Sequence, residues 1–247
     1  MGLVKVYRLQ PKSMARSFIT MSLPTTQSLA SGRCLSRQLS DSTILAKTWK
    51  TPKLRQHVNP LGLIFQKKIE LEDNWASTAY SNPHQGKFIV DIGCAKGSWS
   101  LAMCKQNPEL NILGLEIRGP LVENSLVRKA KWNLTNVHYL SCNANVNILH
   151  ILSSLQKQDI HVDTVALNFP DPQFKERHKK RRLVNARFVR DLGEGLKPGS
   201  SENANVDNAS AREGTKVFFQ SDVFEVIVDM ASHFSSSRYF SPALNYD

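Results

Sequence analysis

The chain has 247 residues, enough for one domain with a sizeable core plus an extension, and a formal net charge of +11 at pH 7. Its four cysteines lack the spacing of a zinc site, so we expect reduced thiols and no bound metal. No apolar run approaches the ~20 residues that span a bilayer, so no membrane partner is expected.

The first segment of the chain carries most of this charge. Residues 1–58 hold ten of the 32 Lys and Arg residues but one of the 21 acidic residues, Asp41. The net charge is therefore not in itself evidence of nucleic-acid binding. Residues 1–54 are rich in Ser, Thr and Arg, which predicts an organellar transit peptide for chloroplast or mitochondrion. The alternative is a disordered basic segment.

From about residue 87, short apolar segments alternate with amphipathic ones. The predicted strands are Lys87–Ile92, Asn111–Ile117, Val137–Ser141, Val162–Phe169 and Lys216–Ser221. The predicted helices are Ser98–Gln106, Leu121–Trp132, Val146–Gln156, Val184–Leu196 and Val223–Phe234. This alternation predicts an α/β fold over residues 55–247, with a doubly wound, mostly parallel sheet. Residues 200–214 are small and polar, and are predicted to form a flexible insertion.

A glycine turn is predicted where the first strand of this domain leads into its helix, at Asp91-Ile92-Gly93-Cys94-Ala95-Lys96-Gly97. Gly93 and Gly97 permit positive φ and close backbone approach, so the turn can wrap a nucleotide-like ligand. Its acid would attract a cationic group rather than a pyrophosphate. The spacing also differs from the Gly-x-Gly-x-x-Gly of dinucleotide enzymes, which disfavours an NAD-dependent oxidoreductase.

Polar side chains also end the next two predicted strands. Glu116 ends the second, where its carboxylate can accept bonds from both hydroxyls of a ribose. Asn143 follows the third, where it can accept a bond from an adenine amino group or cap the following helix. Together with the glycine turn, these positions predict a nucleoside-like cofactor.

A carboxylate held between two prolines follows the fourth predicted strand. Proline disfavours helix in the residue before it, so Phe169 and Asp171 are predicted to be extended. Six cationic residues come next, namely Lys175, Arg177, Lys179, Lys180, Arg181 and Arg182. A rigid acid beside dense positive charge suits chemistry on a polyanion. The alternatives are a plain turn residue for Asp171, and a solvated helix start or a nuclear-import signal for the cations.

These motifs together resemble a known enzyme family. The glycine turn is similar to the acid-x-Gly-x-Gly-x-Gly turn of class I S-adenosylmethionine methyltransferases, with Ala95 at the middle glycine. From about residue 55 to 240 the chain resembles the bacterial-type tRNA (guanine-N7-)-methyltransferases. The matching segments are Arg55-Gln56-His57-Val58-Asn59-Pro60-Leu61, Asp91–Gly97, Leu113-Gly114-Leu115-Glu116-Ile117-Arg118, and Phe169-Pro170-Asp171-Pro172-Gln173-Phe174-Lys175 with the basic run after it.

The resemblance implies methyl transfer from S-adenosylmethionine to N7 of a guanine in the tRNA variable loop, without an obligatory second subunit. It implies that Asp171 is the catalytic residue and that Lys175 and Asp222 contact the tRNA. The side chains it places around the cofactor are Asp91, Glu116, Asn143 and Asp171. For Asp222, a helix N-cap is the alternative role.

Three departures from the family pattern accompany this resemblance. Asn143 replaces the usual acid, and Gln173 stands where the family has an aromatic residue or His. The family also continues beyond the position of Asp247 through two more strands. We therefore expect a sheet without its last two strands, an unpaired edge on the strand at 216–221, and reduced activity.

Two other hypotheses remain open from the sequence. One keeps the methyltransferase fold but gives it another RNA or a small molecule as acceptor. The other is an RNA-binding protein whose catalysis is impaired by Asn143 and the missing strands.

For guanine methylation, N7 has a lone pair and no proton, so Asp171 need not act as a base. It would accept hydrogen bonds from the guanine or balance the developing charge.

Overall fold

The computed structural model describes residues 3–9, 57–197 and 214–243. The predicted insertion at 200–214 lies outside these residues except for Gly214, and so does most of the predicted transit segment.

The described residues form seven strands and six helices. The strands are β1 Leu3–Leu9, β2 Lys87–Ile92, β3 Leu110–Glu116, β4 Val137–Ser141, β5 Thr164–Asn168, β6 Lys216–Ser221 and β7 Phe240–Pro242. The helices are α1 Trp75–Ala79, α2 Ser98–Gln106, α3 Gly119–Lys131, α4 Ala144–Lys157, α5 Ala186–Leu196 and α6 Phe224–Ser235. Short 3₁₀ segments cover Leu63–Phe65 and Glu176–Arg181. None of the helices in the described part of the chain is long and apolar enough to cross a bilayer.

All seven strands belong to one sheet, in the order β4-β3-β2-β5-β6-β1-β7. The five strands from β2 to β6 pair in parallel, and β1 pairs antiparallel with both β6 and β7. The predicted α/β class with a mostly parallel sheet is therefore confirmed.

Side chains alternate between the two faces of the central strands, as the two-residue repeat of a strand requires. On β2, Phe88 and Val90 join a core cluster with the buried faces of α4, α5 and α6. Ile89, between them, packs against the cluster that α2 and α3 form with β3 and β4. Helices thus cover both faces of the sheet, which explains why its strands are continuous apolar runs.

The N-terminal strand β1 was not among the predicted elements. It pairs with β6 from Leu3↔Ser221 to Arg8↔Lys216. The expected unpaired edge on β6 is therefore wrong. The alternative of a disordered segment does not hold for residues 3–9, because Tyr7 is buried and stacks on an aromatic ring of β6, with ring centroids 5.5 Å apart.

The carboxyl ends of the parallel strands meet at one edge of the sheet. Asp91 of β2 pairs with Gly114 of β3 and Ala166 of β5, so the acid lies between two neighbouring strands. Glu116 ends β3, and Asn168 ends β5. Sites of doubly wound sheets form at this edge, where loops from several strands converge.

Candidate active site

The glycine turn after β2 wraps around the end of β3. The N–H groups of Gly93 and Cys94 both donate to the carbonyl of Leu115, at 2.8 and 3.1 Å. Gly93 has φ +78°, and a Cβ there would meet no atom within 4 Å, so open space lies beside it. Gly97 has φ +61°, and a Cβ there would lie 2.6 Å from the hydroxyl of Tyr139. Gly97 is thus needed for packing, whereas Gly93 faces room for a ligand.

Ala95 adopts the glycine-like conformation that its place in the turn demands, with φ +50°. A left-handed conformation costs a residue with a Cβ about 1–2 kcal/mol. Its N–H donates to Oε2 of Glu116 at 3.0 Å, which links the turn to the end of β3.

Asp91 is buried at 2% exposure beneath the turn. Desolvation raises the pKa of its carboxyl to about 7, partly offset by hydrogen bonds that favour the ionised form, while the nearby charge of Glu116 raises it further. Asn168 donates to Oδ1 of Asp91 at 3.4 Å. The site therefore holds a carboxyl whose ionisation a cationic ligand would promote.

Glu116 is buried as well and accepts several hydrogen bonds from Arg118. The Arg118 Nε and backbone N donate to Oε1 at 2.8 and 3.0 Å, and its Nη2 donates to Oε2 at 3.2 Å. Hydrogen bonding to Glu116 is the main cause that raises the pKa of the Arg118 guanidinium, and the charge of Asp171 raises it further. Arg118 lies in one of the segments that resemble the family, but no role was predicted for it.

Asn143 is the N-cap of α4. Its Oδ1 accepts from the N–H of Asn145 at 3.1 Å, and its Nδ2 donates to the carbonyl of Pro60 at 3.0 Å. Asn143 therefore caps α4, which was the alternative role predicted for it. A contact of Asn143 with a cofactor stays a prediction. The bond to Pro60 ties the segment before the sheet to this edge.

The turn after β5 presents Asp171 with its side chain 36% exposed. Phe169 is not extended as predicted: its φ is +48°, and its N–H donates to the carbonyl of Gln220 at 3.0 Å. This bond continues the pairing of β5 with β6, and the left-handed residue then turns the chain away from the sheet. Gln173, with φ +47°, folds back so that its Nε2 donates to Oδ2 of Asp171 at 2.7 Å.

His57, like Arg118, was not among the predicted site residues. Its Nδ1 lies 2.7 Å from Oδ2 of Asp171. The signal available in the sequence was the segment at residues 55–61, which resembles the family and contains His57.

The basic run follows this turn, and its members differ in their surroundings. Lys175, Arg177 and Lys180 are exposed. Lys179 forms ion pairs with Glu176 and Glu225, at 2.8 and 3.2 Å. Arg181 is half-buried, and its Nε is buried.

Arg182 does not fit the predicted contact with phosphate. Its side chain is 7% exposed, and its Nε donates to the carbonyl of Pro172 at 2.9 Å. Its Nη atoms donate to Asp229 and Glu225 on α6, at 3.0 and 2.9 Å. Arg182 instead joins the Asp171 turn to α6, because a buried guanidinium is stable only when its donors are satisfied.

Asp222 lies between β6 and α6 and is exposed. The helix begins at Phe224, and the Oγ of Ser221 accepts from the N–H of Val223 at 3.1 Å. Ser221, rather than Asp222, thus makes the side-chain contact at this helix start. The predicted N-cap role of Asp222 is therefore not observed, and its predicted tRNA contact stays a proposal.

The structure brings the predicted residues together at one sheet edge. Asp91, Glu116 and the glycine turn are joined through Ala95, and Asp171 follows β5, the neighbour of β2. The charge of Asp171 also acts on Arg118, which holds Glu116. Among the described residues no group of His, Cys, Asp and Glu is arranged to hold a metal ion.

The sequence of this chain is similar to those of known methyltransferases. The family model described as "Putative methyltransferase" matches residues 85–245. The tRNA (guanine-N(7)-)-methyltransferase of Thermosynechococcus vestitus is 42% identical over 188 residues, which cover 76% of this chain and 78% of the relative. That of Nostoc sp. is 40% identical over 190 residues, covering 76% and 77%. A solved precorrin-6y C5,15-methyltransferase from Geobacter metallireducens is 13% identical, with a TM-score of 0.39 over 65% of this chain and 68% of that one.

The fold and its edge site thus define an S-adenosylmethionine-dependent methyltransferase of the Rossmann-like class. Within that class, the chain belongs to the tRNA (guanine-N(7)-)-methyltransferase family.

Proposed function

We propose that this protein transfers a methyl group from S-adenosylmethionine to N7 of a guanine in the variable loop of tRNA. The observation that carries the proposal is the position of Asp171. Its turn combines an accessible carboxylate with exposed cations, at the same sheet edge as the acid and glycines after β2. The names of the relatives supply the substrate class.

The residues around the glycine turn fit the proposed cofactor. Space beside Gly93 admits a ligand, and the buried carboxyl of Asp91 suits a cationic amino group. Glu116 would bind the ribose hydroxyls, which requires it to give up bonds from the Arg118 side chain. Asn143 retains a free acceptor capacity on Oδ1 beyond the one bond from its helix. S-adenosylmethionine, when bound, supplies an electrophilic methyl group.

Asp171 would act on the guanine as an acceptor of hydrogen bonds rather than as a base. Its Oδ1 accepts only from the N–H of Gln173, at 3.2 Å, among the contacts of the described residues. That oxygen can therefore accept from the N–H groups on the Watson–Crick edge. A fixed carboxylate there also stabilises the positive charge that the purine gains on methylation.

The exposed cations would hold the tRNA backbone. Lys175, Arg177 and Lys180 are accessible for phosphate contacts, and Asp222 lies at the neighbouring strand end. Because such contacts release condensed counterions, the affinity for tRNA should fall steeply with added salt. Lys179 and Arg181 would contribute less, since the first already pairs with two carboxylates and the second is half-buried.

Replacement of Asp171 by Asn tests the proposal. Asn keeps the shape but removes the charge, so methylation should be lost while S-adenosylmethionine still binds. The methylated base is located by borohydride and aniline cleavage of tRNA at 7-methylguanine, and cofactor binding by calorimetry. Exposed Asp73→Asn, before α1, is the matched control and should leave cleavage unchanged.

Each contrary result favours a different hypothesis. A near wild-type rate for Asp171→Asn would show that this role is wrong. Cofactor binding by the wild type without cleavage of tRNA would indicate another acceptor, and absence of cofactor binding would favour an RNA-binding protein without activity.

We further propose, on the family resemblance, that no second subunit is required. Light scattering of the active fraction tests this by giving the mass of the active species.

We also propose, on the composition of residues 1–54, that the protein is imported into an organelle. A fluorescent protein fused after residue 54 tests this, and a diffuse cytosolic signal would contradict it.

A further inference from the structure

The carboxylate of Asp171 is held by donors that leave its two oxygens unequal. Oδ2 lies 2.7 Å from both the Nδ1 of His57 and the Nε2 of Gln173. Among the described residues, Oδ1 accepts only the longer bond from the N–H of Gln173. A carboxylate can only accept, so Nδ1 of His57 carries the proton.

The contact from His57 spans 114 residues of sequence between two partly exposed side chains, 59% and 36% accessible. An isolated surface pair of this kind contributes little to stability. It would not by itself order a long segment, so the backbone near His57 must be anchored by other contacts.

Those anchors lie on the first turns of α4. Asn143 donates to the carbonyl of Pro60 at 3.0 Å, three residues from His57. Asn147 accepts from the N–H of Ile69 at 2.9 Å and donates to the carbonyl of Lys67 at 3.2 Å. The segment that follows His57 is thus fixed to the sheet edge independently of the contact with Asp171. The backbone near His57 is therefore held in place by these hydrogen bonds.

We infer that His57 is a positioning residue: it holds Oδ2 of Asp171 so that Oδ1 is turned toward the guanine. This inference rests on the proposed function. The terminal torsion of an Asp side chain has broad minima, so a carboxylate without such a donor samples a range of orientations. A reacting group displaced by about 1 Å loses on the order of 100-fold in rate.

Gln173 also donates to Asp171, and these bonds give a role to the residue at one departure from the family pattern. Its left-handed backbone brings both its N–H and its side-chain amide to Asp171. In this chain the residue that replaces an aromatic or His is therefore a donor to the carboxylate.

Three substitutions of His57 separate positioning from general structural support. The amide nitrogen of Asn lies near the place of Nδ1, whereas that of Gln lies near Nε2. His57→Leu should lower kcat for tRNA methylation by about 10- to 100-fold, with the KM for S-adenosylmethionine and the melting temperature little changed. His57→Asn should recover most of the rate, and His57→Gln should not. His84→Leu, an exposed histidine before β2 at the opposite edge, is the control.

A wild-type rate for His57→Leu, or equal losses for Leu, Asn and Gln, would overturn the inference. A second readout uses neither tRNA nor methyl donor: ¹⁵N NMR of the ring should show the Nδ1–H tautomer in the wild type and its loss in Asp171→Leu. An Nε2–H tautomer in the wild type would contradict the contact. If the tautomer is as expected but the wild type does not methylate tRNA, the proposed function fails and the contact stands.

Discussion

At the scale of single residues, Asp91 illustrates a conflict between folding and ligand binding. Its carboxyl is buried beside Glu116, so the ionised form is costly in the absence of a cation. The folded state raises the pKa from 3.8 to about 7. Between these values the native protein binds a proton that the unfolded chain has released, so the stability due to Asp91 is lost as the pH rises through about 7.

Asp91→Asn should therefore raise the melting temperature, and the gain should be larger at pH 8 than at pH 5. Asn keeps the shape and remains neutral, so it avoids the burial of a charge. The same variant should lose affinity for S-adenosylmethionine, because no carboxylate is left for its amino group. Thermal denaturation at the two pH values and calorimetry measure these effects.

Exposed Asp73→Asn provides the reference for this test, because it removes a carboxylate that is not buried. Equal gains for Asp91→Asn at pH 5 and pH 8 would mean that the carboxyl does not titrate between them.

The site residues that the sequence could predict are those at strand ends. Asp91, Glu116 and Asp171 follow apolar runs, and parallel strands bring their ends together, so their proximity follows from the pattern. The contacts of His57 and Arg182 could not be predicted, because they depend on how distant segments pack. The prediction of an extended backbone at Phe169 was wrong, because its N–H bond to β6 outweighs the conformational preference that the following proline imposes.

At the scale of secondary-structure elements, the Asp171 turn is joined to α6 by one buried guanidinium. Arg182 donates to the carbonyl of Pro172 and to two carboxylates of α6. Removing Arg182 is therefore costly, because both carboxylates lose a partner and the carbonyl of Pro172 loses its donor. The two carboxylates are 54% and 35% exposed, so water lessens this cost.

Arg182→Met should lower both the melting temperature and the rate of methylation. Arg177→Met should lower each of them less. Arg177 is exposed, so its loss should instead weaken tRNA binding and reduce the dependence of affinity on salt. Thermal denaturation and filter binding at several salt concentrations distinguish the two. If Arg182→Met is as stable as the wild type but has a lower salt dependence, Arg182 contacts RNA after all.

Elements within the alternation of apolar strands and amphipathic helices were the ones that the sequence could predict. The bounds of β2, β4, β6 and α2 agree with the prediction. The helix α1, the strand β7 and the 3₁₀ segment at 176–181 were missed, because they lie outside this alternation and show no clear apolar period of their own. The 3₁₀ segment lies within the basic run, whose charge predicted a function but no secondary structure.

At the scale of the whole molecule, β1 completes the sheet beside β6. Tyr7 stacks on Phe219 and packs against Phe234, with ring centroids 5.5 and 5.4 Å apart. Its hydroxyl lies 3.2 Å from the carbonyl of Ala231 and 2.9 Å from the Oγ of Ser235. The strand therefore covers both the edge of β6 and part of α6. An uncovered edge of this kind is a site for aggregation.

Tyr7→Ala should destabilise the protein by about 3–5 kcal/mol, the range for truncating a buried aromatic side chain. The variant should also aggregate at lower temperature, because β6 becomes exposed when β1 detaches. Denaturant titration and light scattering during heating measure the two effects. Lys5→Ala, on an exposed position of the same strand, is the control. Equal stability of the two variants would contradict the packing role of β1.

β1 also bears on the predicted transit peptide. Cleavage near residue 54 would remove residues 3–9, so a cleaved leader and a sheet strand exclude each other in one mature chain. The N-terminal peptide of the protein recovered from the organelle, read by mass spectrometry, distinguishes the two.

The pairing of Leu3 with Ser221 also sets the order of events on the ribosome. At about 5–20 residues per second, roughly 10 to 40 s separate the synthesis of these two strands. During that delay the earliest segment has no neighbour to join, and a chaperone has time to bind it. Stalled chains that end shortly after β5 should therefore leave residues 3–9 open to protease, and protection should appear only once β6 has emerged.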